Sequence, residues 1–341
     1  MFALSKRIGV DLGTVNSFVW LQGRGVVVEE PTVVAVSLKD KRVVAVGTVA
    51  HHMLGRTPGT IVASKPLKHG VIADYAVTEA LLRFFLQKVM GRGIILKPEV
   101  MVSVPAGSTQ VERRAVLEAA LSAGARKAYL LDEPLAAIIG AGIPIAEASG
   151  NMVLNIGGGA AEAAVISLGG VVASKSVRVG GNALDEAIQK YIKKKYNLVI
   201  GEMTAEHIKI EIGSALTSAS QRTSHKQMVE IKGRDAVNGL PREIEVSRDD
   251  VYEAIQSPLN IIIGMVKRVL EEVPPELASD IIDKGVMMTG GTAQFSDLGR
   301  RLSDELSVPV SLSEDPLHCV IKGIGVVLDD IDTYRHVLKE K

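Results

Sequence analysis

The residues best suited to chemistry lie in two stretches, 144 positions apart, that repeat one pattern. Asp11 ends an apolar run and is followed by Leu12, Gly13, Thr14, Val15 and Asn16 before a second apolar run begins. Asn155 likewise ends an apolar run, followed by Ile156 and three glycines, Gly157, Gly158 and Gly159, before Ala163 to Leu168. Each reads as strand, glycine turn, strand. Glycines in a turn present backbone N–H groups with no side chain in the way, which suits an anion such as phosphate. A carboxylate at such a turn suits Mg²⁺, which keeps most of its waters and takes few protein ligands, so Asp11 is a candidate for the metal's water shell. Glu133, between Asp132 and Pro134, could orient an attacking water in phosphoryl transfer.

Each feature has a simpler reading. A three-glycine turn is equally a loose hairpin. By position alone, Asp132 and Glu133 are better explained as acidic residues favouring a helix N-terminus. His51 and His52 are adjacent, yet no Cys or carboxylate cluster stands beside them, so they read as surface rather than as a metal site. The duplication favours phosphate, since two copies one domain length apart suggest two related domains facing a nucleotide. The second copy is altered. Asn155 stands where the duplication predicts a carboxylate, and Ala160 and Ala161 stand where hydroxyls would help to bind phosphate. Asn155 cannot offer a negative charge to Mg²⁺, and the alanines cannot donate hydrogen bonds.

The elements that must position these residues follow from pattern. Valine-rich runs at 26–29, 32–36 and 42–46 read as strands. Asp74 caps a helix whose apolar face is Leu81, Leu82, Phe85, Leu86 and Val89. Thr109-Gln110-Val111-Glu112 is a capping box opening a helix to Ser122. Residues 99–104 and 129–131 read as strands, and 135–142 as a tightly packed helix. After the second hairpin, Gly180-Gly181-Asn182 leads into a helix to Tyr196, and Thr204 reads as the cap of the next. Residues 250–273 look helical, with a kink expected at Pro258. A third glycine turn, Gly290-Gly291-Thr292-Ala293, follows a strand end, where α/β folds bind ligands. The alternation implies open mixed sheets covered by helices.

Composition narrows the classes. The chain has 341 residues, 47% hydrophobic and 23% charged, enough for two α/β domains with real cores. With 39 basic and 39 acidic residues there is no global positive field, which argues against nucleic acid as a main partner. It also does little to oppose self-association. The single cysteine, Cys319, allows no intrachain disulfide, and no apolar run reaches membrane-spanning length. The start is too short and too soon interrupted for a signal peptide, so the cytoplasm is expected.

The stretches DLGTVNS, LDEPLAAIIGAG, NIGGGAAEAAVISLGG, TAEHIKIEIGSA, PPELASDI and EDPLHCV, in this order, closely resemble the MreB family of bacterial actin homologues over nearly the whole chain. The resemblance implies an actin-like fold: two related α/β domains, ribonuclease H-like, around a nucleotide cleft, each with a small inserted subdomain. The first domain would be 1–141, with its insert at about 30–65 and the C-terminal helix, 316–341, packing back onto it. The second would be 142–315, with its insert at about 182–246. The cofactors implied are ATP and Mg²⁺. The partners implied are further copies of the chain in antiparallel double protofilaments, the inner face of the cell membrane, and membrane proteins of cell-wall elongation. The function implied is the setting of cell shape.

Residue by residue, the resemblance places Thr14, Val15 and Asn16 on phosphate with Gly13 in the same turn and Asp11 near the metal. Gly157, Gly158 and Gly159 form the second phosphate loop, with Asn155 reaching the metal only through water and weakly. Gly181, Glu206, His207, Ile208 and Lys209 lie beside ribose and base, and Gly290, Gly291, Thr292 and Ala293 line the base pocket. Glu133 matches the catalytic glutamate. Ile94, Ile95 and Leu96, between Arg92 and Lys97, with Phe2 and Leu4, match the membrane-touching segments; the alternative is that 94–96 begin the following strand. Family members usually carry aspartate, then GGGTTE, at the second hairpin, aspartate at the position of Asn182 and glycine at Thr292. These departures cluster near phosphate and metal, so hydrolysis is expected to be weak while binding persists. Two other readings belong to the same superfamily. A small-molecule kinase would need a base beyond the terminal phosphate, and none stands out. A chaperone ATPase would need a further peptide-binding domain. Sedimentation with ATP separates both from a filament former.

Overall fold

The computed structural model describes residues 6–91, 97–217 and 227–340. The candidate membrane residues Phe2, Leu4, Ile94, Ile95 and Leu96 lie outside them.

Two sheets with one shared topology organise the chain. In the first, Arg7–Leu12, Asn16–Leu21 and Gly25–Pro31 form an antiparallel meander, and Glu99–Val104 and Lys127–Asp132 extend it in parallel from Arg7–Leu12. In the second, Asn151–Ile156, Ala161–Ser167 and Gly170–Val177 form the meander, and Val286–Thr289 and Val310–Leu312 extend it in parallel from Asn151–Ile156. Lys339–Glu340 adds an antiparallel edge to the first sheet alone. The duplication seen in two turns therefore extends to whole sheets, each with its glycine hairpin at the same place.

The central strands are buried along almost their whole length, because helices cover both faces of each sheet. Tyr75–Met90 and Gln110–Ala123 pack on the outer face of the first sheet, around Leu81, Leu82, Phe85 and Val116. Arg248–Glu272 packs on the outer face of the second, and Gly181–Tyr196 and Glu202–Ile212 pack beside it in the same core, around Leu184, Ile208 and Ile262. Between the sheets lie Glu133–Gly140 and Cys319–Asp329, whose apolar residues share one core with both sheets. These two helices touch backbone to backbone. A Cβ at Gly140 would lie 1.8 Å from the Cys319 carbonyl oxygen, and one at Gly323 1.9 Å from that of Ala136. Glycine at both points permits the crossing that joins the lobes.

Two smaller sheets extend from the lobes. Val34–Ser37, Val43–Val46 and Ile61–Ser64 form one. Leu198–Val199, Met228–Asp235 and Pro241–Ser247 form the other.

Helix starts follow local chemistry. Asp74 accepts from the Val77 N–H at 3.1 Å, and the Thr109–Glu112 capping box is complete. Thr204 is not a cap. The helix begins at Glu202 with Gly201 at its N-cap, an acidic first turn substituting for a side-chain cap. The helix Arg248–Glu272 continues past Pro258, which is buried within it.

Candidate functional site

A cavity of about 480 Å³ lies between the lobes, within the size range of small-molecule sites. Its floor is formed where the two glycine hairpins meet. A Cβ at Gly158 would lie 2.1 Å from Val15 Cγ2, and one at Gly159 2.3 Å from Thr14 Oγ1. Side chains at these glycines would push the hairpins apart. Each turn is pinned from behind through its carbonyls. Thr32 donates to Gly13 O through its hydroxyl at 2.6 Å and to Val15 O through its N–H at 2.8 Å. In the second turn Thr292 Oγ1 donates to Gly157 O at 2.9 Å, and the N–H groups of Gly181 and Asn182 donate to Gly157 O and Gly158 O at 3.0 and 2.9 Å. The N–H groups of Thr14, Val15, Gly158 and Gly159 make no backbone–backbone bond among the described residues. With their carbonyls held, these turns offer donors to an anion.

Asp11 and Asn155 occupy equivalent places, and each is held by a hydroxyl on the neighbouring parallel strand. Ser103 donates to Asp11 Oδ1 at 2.8 Å, and Thr289 donates to Asn155 Oδ1 at 3.3 Å. Burial pushes the Asp11 carboxyl up to about 6, opposed by the Ser103 hydroxyl and by His318. Asn155 Nδ2 donates to Glu133 Oε2 at 3.4 Å. Glu133 sits in the first turn of its helix, as its position before Pro134 suggests.

Glu133 belongs to a buried acidic group. Burial, then repulsion from Glu162, Asp11 and Asp132, holds its carboxyl well above the usual range. Burial likewise pushes Glu162 up to about 7, opposed by hydrogen bonds from Ser176 and the Ala106 N–H, the latter 2.9 Å from Oε1. Asp132 is ion-paired to the buried Arg113, which also donates to the carbonyls of Pro105, Ala106 and Ser108. Among the described residues no group of three or more His, Cys, Asp or Glu is arranged to hold a metal ion by itself.

The cavity brings together Asp11, Gly13, Thr14, Val15, Asn16, Glu133, Asn155, Gly157, Gly158, Gly159 and Gly181. At its other end it brings in Glu206, Lys209, Gly290, Gly291 and Thr292. Lys209 is fixed by Asp185 at 2.9 Å and by Gly181 O at 3.4 Å. Burial raises Asp185 to about 6, against the pull of Lys209. Gly290 needs its glycine: its φ is +88°, and a Cβ there would lie 2.4 Å from Ile156 O.

Three expected residues do not line the cavity. His207 pairs with Glu211 at 2.7 Å, Ile208 is fully buried in the second-lobe core, and Ala293 is buried in the turn Gly291–Gln294. Ala160 lines the cavity, but Ala161 is packed into that same core. Strand alternation explains it: Glu162 pairs across the hairpin with Asn155, so Ala161 must face the other way. Several lining residues carry no sequence signal of their own. Gly70 donates its N–H to Thr14 Oγ1 at 2.9 Å, and Phe18, Ile210, Phe295 and Leu317 supply apolar walls.

Comparison with known proteins matches residues 5–336 to the MreB/Mbl protein family. The chain is 48% identical to the cell shape-determining protein MreB of Escherichia coli (strain K12), over 97% of this chain and 95% of that one. It is 47% identical to the cell shape-determining protein Mbl of Bacillus subtilis (strain 168), over 97% and 98%. Its structure is similar to that of MreB 5 of Spiroplasma citri bound to AMPPNP, with a TM-score of 0.90, 34% identity and 98% of each chain covered. The MamK double helical filament, at 20% identity, shares the fold with a TM-score of 0.79 over 96% of this chain and 99% of that one.

Proposed function

The chain belongs to the MreB/Mbl family and has the actin-like fold, and from that premise we propose that it is an ATP-binding, filament-forming cytoskeletal protein of the cytoplasm. It assembles as antiparallel double protofilaments at the inner face of the cell membrane, acts with membrane proteins of cell-wall elongation in setting cell shape, and hydrolyses ATP slowly. The observation carrying the nucleotide reading is the meeting of the two glycine hairpins, Gly158 against Val15 and Gly159 against Thr14. A cradle that any Cβ would fill, lined with N–H groups, fits a polyphosphate. The relative bound to AMPPNP supports this reading.

Mg²⁺ also fits, in a limited way. Asp11 is a buried carboxyl raised to about 6, and a bound cation would relieve the cost of its charge. Asp11 would hold the ion together with phosphate oxygens, as suits Mg²⁺. When bound, the ion would offset phosphate charge. Asn155 adds no charge to it, and both its amide atoms are engaged, by Thr289 and Glu133.

Three features of the protein's own residues support the reading of slow turnover. Glu133 would be the residue to orient water, but its Oε2 accepts from Asn155, and its surroundings favour the protonated form. Ala160 offers no hydroxyl to the terminal phosphate region. Binding relies instead on backbone donors, Thr14, Asn16 and the base-side wall, all of which line the cavity. The test of assembly is electron microscopy at micromolar protein with ATP, ADP and no nucleotide, over a range of ionic strengths. Paired straight filaments are expected with ATP; monomers under every condition would refute the assembly reading.

A further inference from the structure

The mouth of the cleft is crossed by an ion pair. Lys65 Nζ donates to Glu202 Oε1. The two residues are 137 positions apart and belong to opposite lobes. Lys65 follows the strand Ile61–Ser64 of the first small sheet, and Glu202 opens the helix Glu202–Ile212 of the second lobe.

Both ends are anchored to the cavity wall. On the first side, Pro66 accepts from the N–H groups of Ala73 and Asp74 at 2.9 and 3.1 Å, fixing the chain beside Lys65. Four residues further, Gly70 lines the cavity and donates to Thr14. On the second side, Glu206 lies one helical turn beyond Glu202 and lines the cavity, and Lys209 on the same helix is held by Asp185. Lys65 and Glu202 do not line the cavity themselves; their contact ties together two segments that do, one from each lobe. The Lys65 side chain is 21% exposed and that of Glu202 52%, so the pair sits at the solvent edge.

We propose that Lys65 and Glu202 form a strap across the cleft that slows nucleotide release. This rests on the nucleotide reading of the cavity. The lobes are joined elsewhere by the helix crossing at Gly140 and Gly323, deep in the shared core. Opening about that joint separates the two small sheets most, so a contact at the far edge has the longest lever on the motion. The strap is breakable by design. A half-exposed ion pair is weak and screened by salt, so it retards exchange without locking the ligand in. Glu202 is also favoured in a helix first turn without Lys65, so losing the pair need not unfold the helix.

The test uses the full chain loaded with a fluorescent ATP analogue and chased with excess ATP. The variants are Lys65→Ala, Glu202→Gln, the two together, and the reversal Lys65→Glu with Glu202→Lys. Each single change should speed release about two- to fivefold, up to about 1 kcal/mol for such a pair. The double change should be no faster than the singles, the reversal should return release to within about twofold of wild type, and added salt should speed wild type more than the double variant. Unchanged release in the single variants, or additive effects with no recovery in the reversal, overturns the strap while leaving the nucleotide reading intact. A wild type that takes up no labelled nucleotide overturns both.

Discussion

The side-chain amide of Asn155 donates to Glu133 Oε2 across 3.4 Å, joining a strand of the second sheet to the helix that opens with that buried carboxyl. An aspartate at 155 would set a further carboxyl against Glu133 in a buried site, where the two would both ionise only with a cation between them. Asparagine replaces that repulsion with a hydrogen bond. It thereby removes a reason for the cation to sit there and gives Glu133 a partner other than water. The equivalent residue of the first sheet, Asp11, is a carboxyl held in the same manner by Ser103.

The hairpin contact predicts a steric effect on binding. Gly158→Ala should weaken ATP affinity at least tenfold, because its Cβ would overlap Val15 Cγ2. Adding Val15→Ala should restore part of the loss by removing that methyl, although Val15 Cβ at 3.0 Å remains tight. Equilibrium titration with a fluorescent ATP analogue measures both. Full affinity in Gly158→Ala would show that the turns are free to separate.

The two alanines after the glycines should behave differently. Ala161→Thr buries a hydroxyl in an apolar core and should cost about 1–3 kcal/mol of stability with turnover within about twofold of wild type. Ala160→Thr should leave stability nearly unchanged and affect turnover. Urea unfolding and phosphate release on both variants check this. Faster turnover from Ala161→Thr alone would contradict the orientation of that side chain.

Asp250 predicts an acid limit on the second lobe. It accepts from Ser247 in a capping box and from Tyr196 at 2.8 Å, and it pairs with Lys195. Although burial opposes it, the hydrogen bonds from Lys195 and Ser247 lower its carboxyl to about 2. A depressed carboxyl stabilises the folded form fully above its unfolded value of 3.8, and that contribution fades as pH falls toward 2. It is worth about 2 kcal/mol after allowance for screening. Asp250→Asn should raise hydrogen exchange in Arg248–Glu272 and Pro241–Ser247 at pH 7, and the gap to wild type should narrow below about pH 4 and nearly close at about pH 2. An equal gap at both pH values would show that the charge is not the cause.

Membrane contact through Ile94, Ile95 and Leu96 is a proposal from sequence. Flanking Arg92 and Lys97 would add about 1 kcal/mol each at an anionic surface. Liposome flotation of the double variant Ile95→Glu with Leu96→Glu should show loss of binding while the protein stays folded. Unchanged flotation would remove this segment as the anchor.

Much of this was legible in local sequence. Both glycine hairpins, the Asp74 cap and the Thr109–Glu112 box are short-range devices, and each is written within a few residues. What local pattern does not carry is whatever two distant strands bring together. Ser103 reaches Asp11 only through parallel register, and Asn155 reaches Glu133 only once the helix lies between the sheets. The burial of Arg113 is of the same kind: its helix position gives no hint of Asp132. The inward turn of Ala161 was within reach of strand alternation counted from Glu162. Thr204 misled because a hydroxyl residue near a helix start resembles a cap, while the acidic Glu202 and Gly201 begin the helix earlier.

The most direct test of slow hydrolysis is phosphate release at saturating ATP and Mg²⁺, comparing wild type with Asn155→Asp combined with Ala160→Thr. Restoring the charge and the hydroxyl should speed turnover at least about tenfold, equivalent to about 1.4 kcal/mol of barrier, with ATP affinity changed by less than about threefold, about 0.6 kcal/mol. Equal rates in the two proteins would contradict the account.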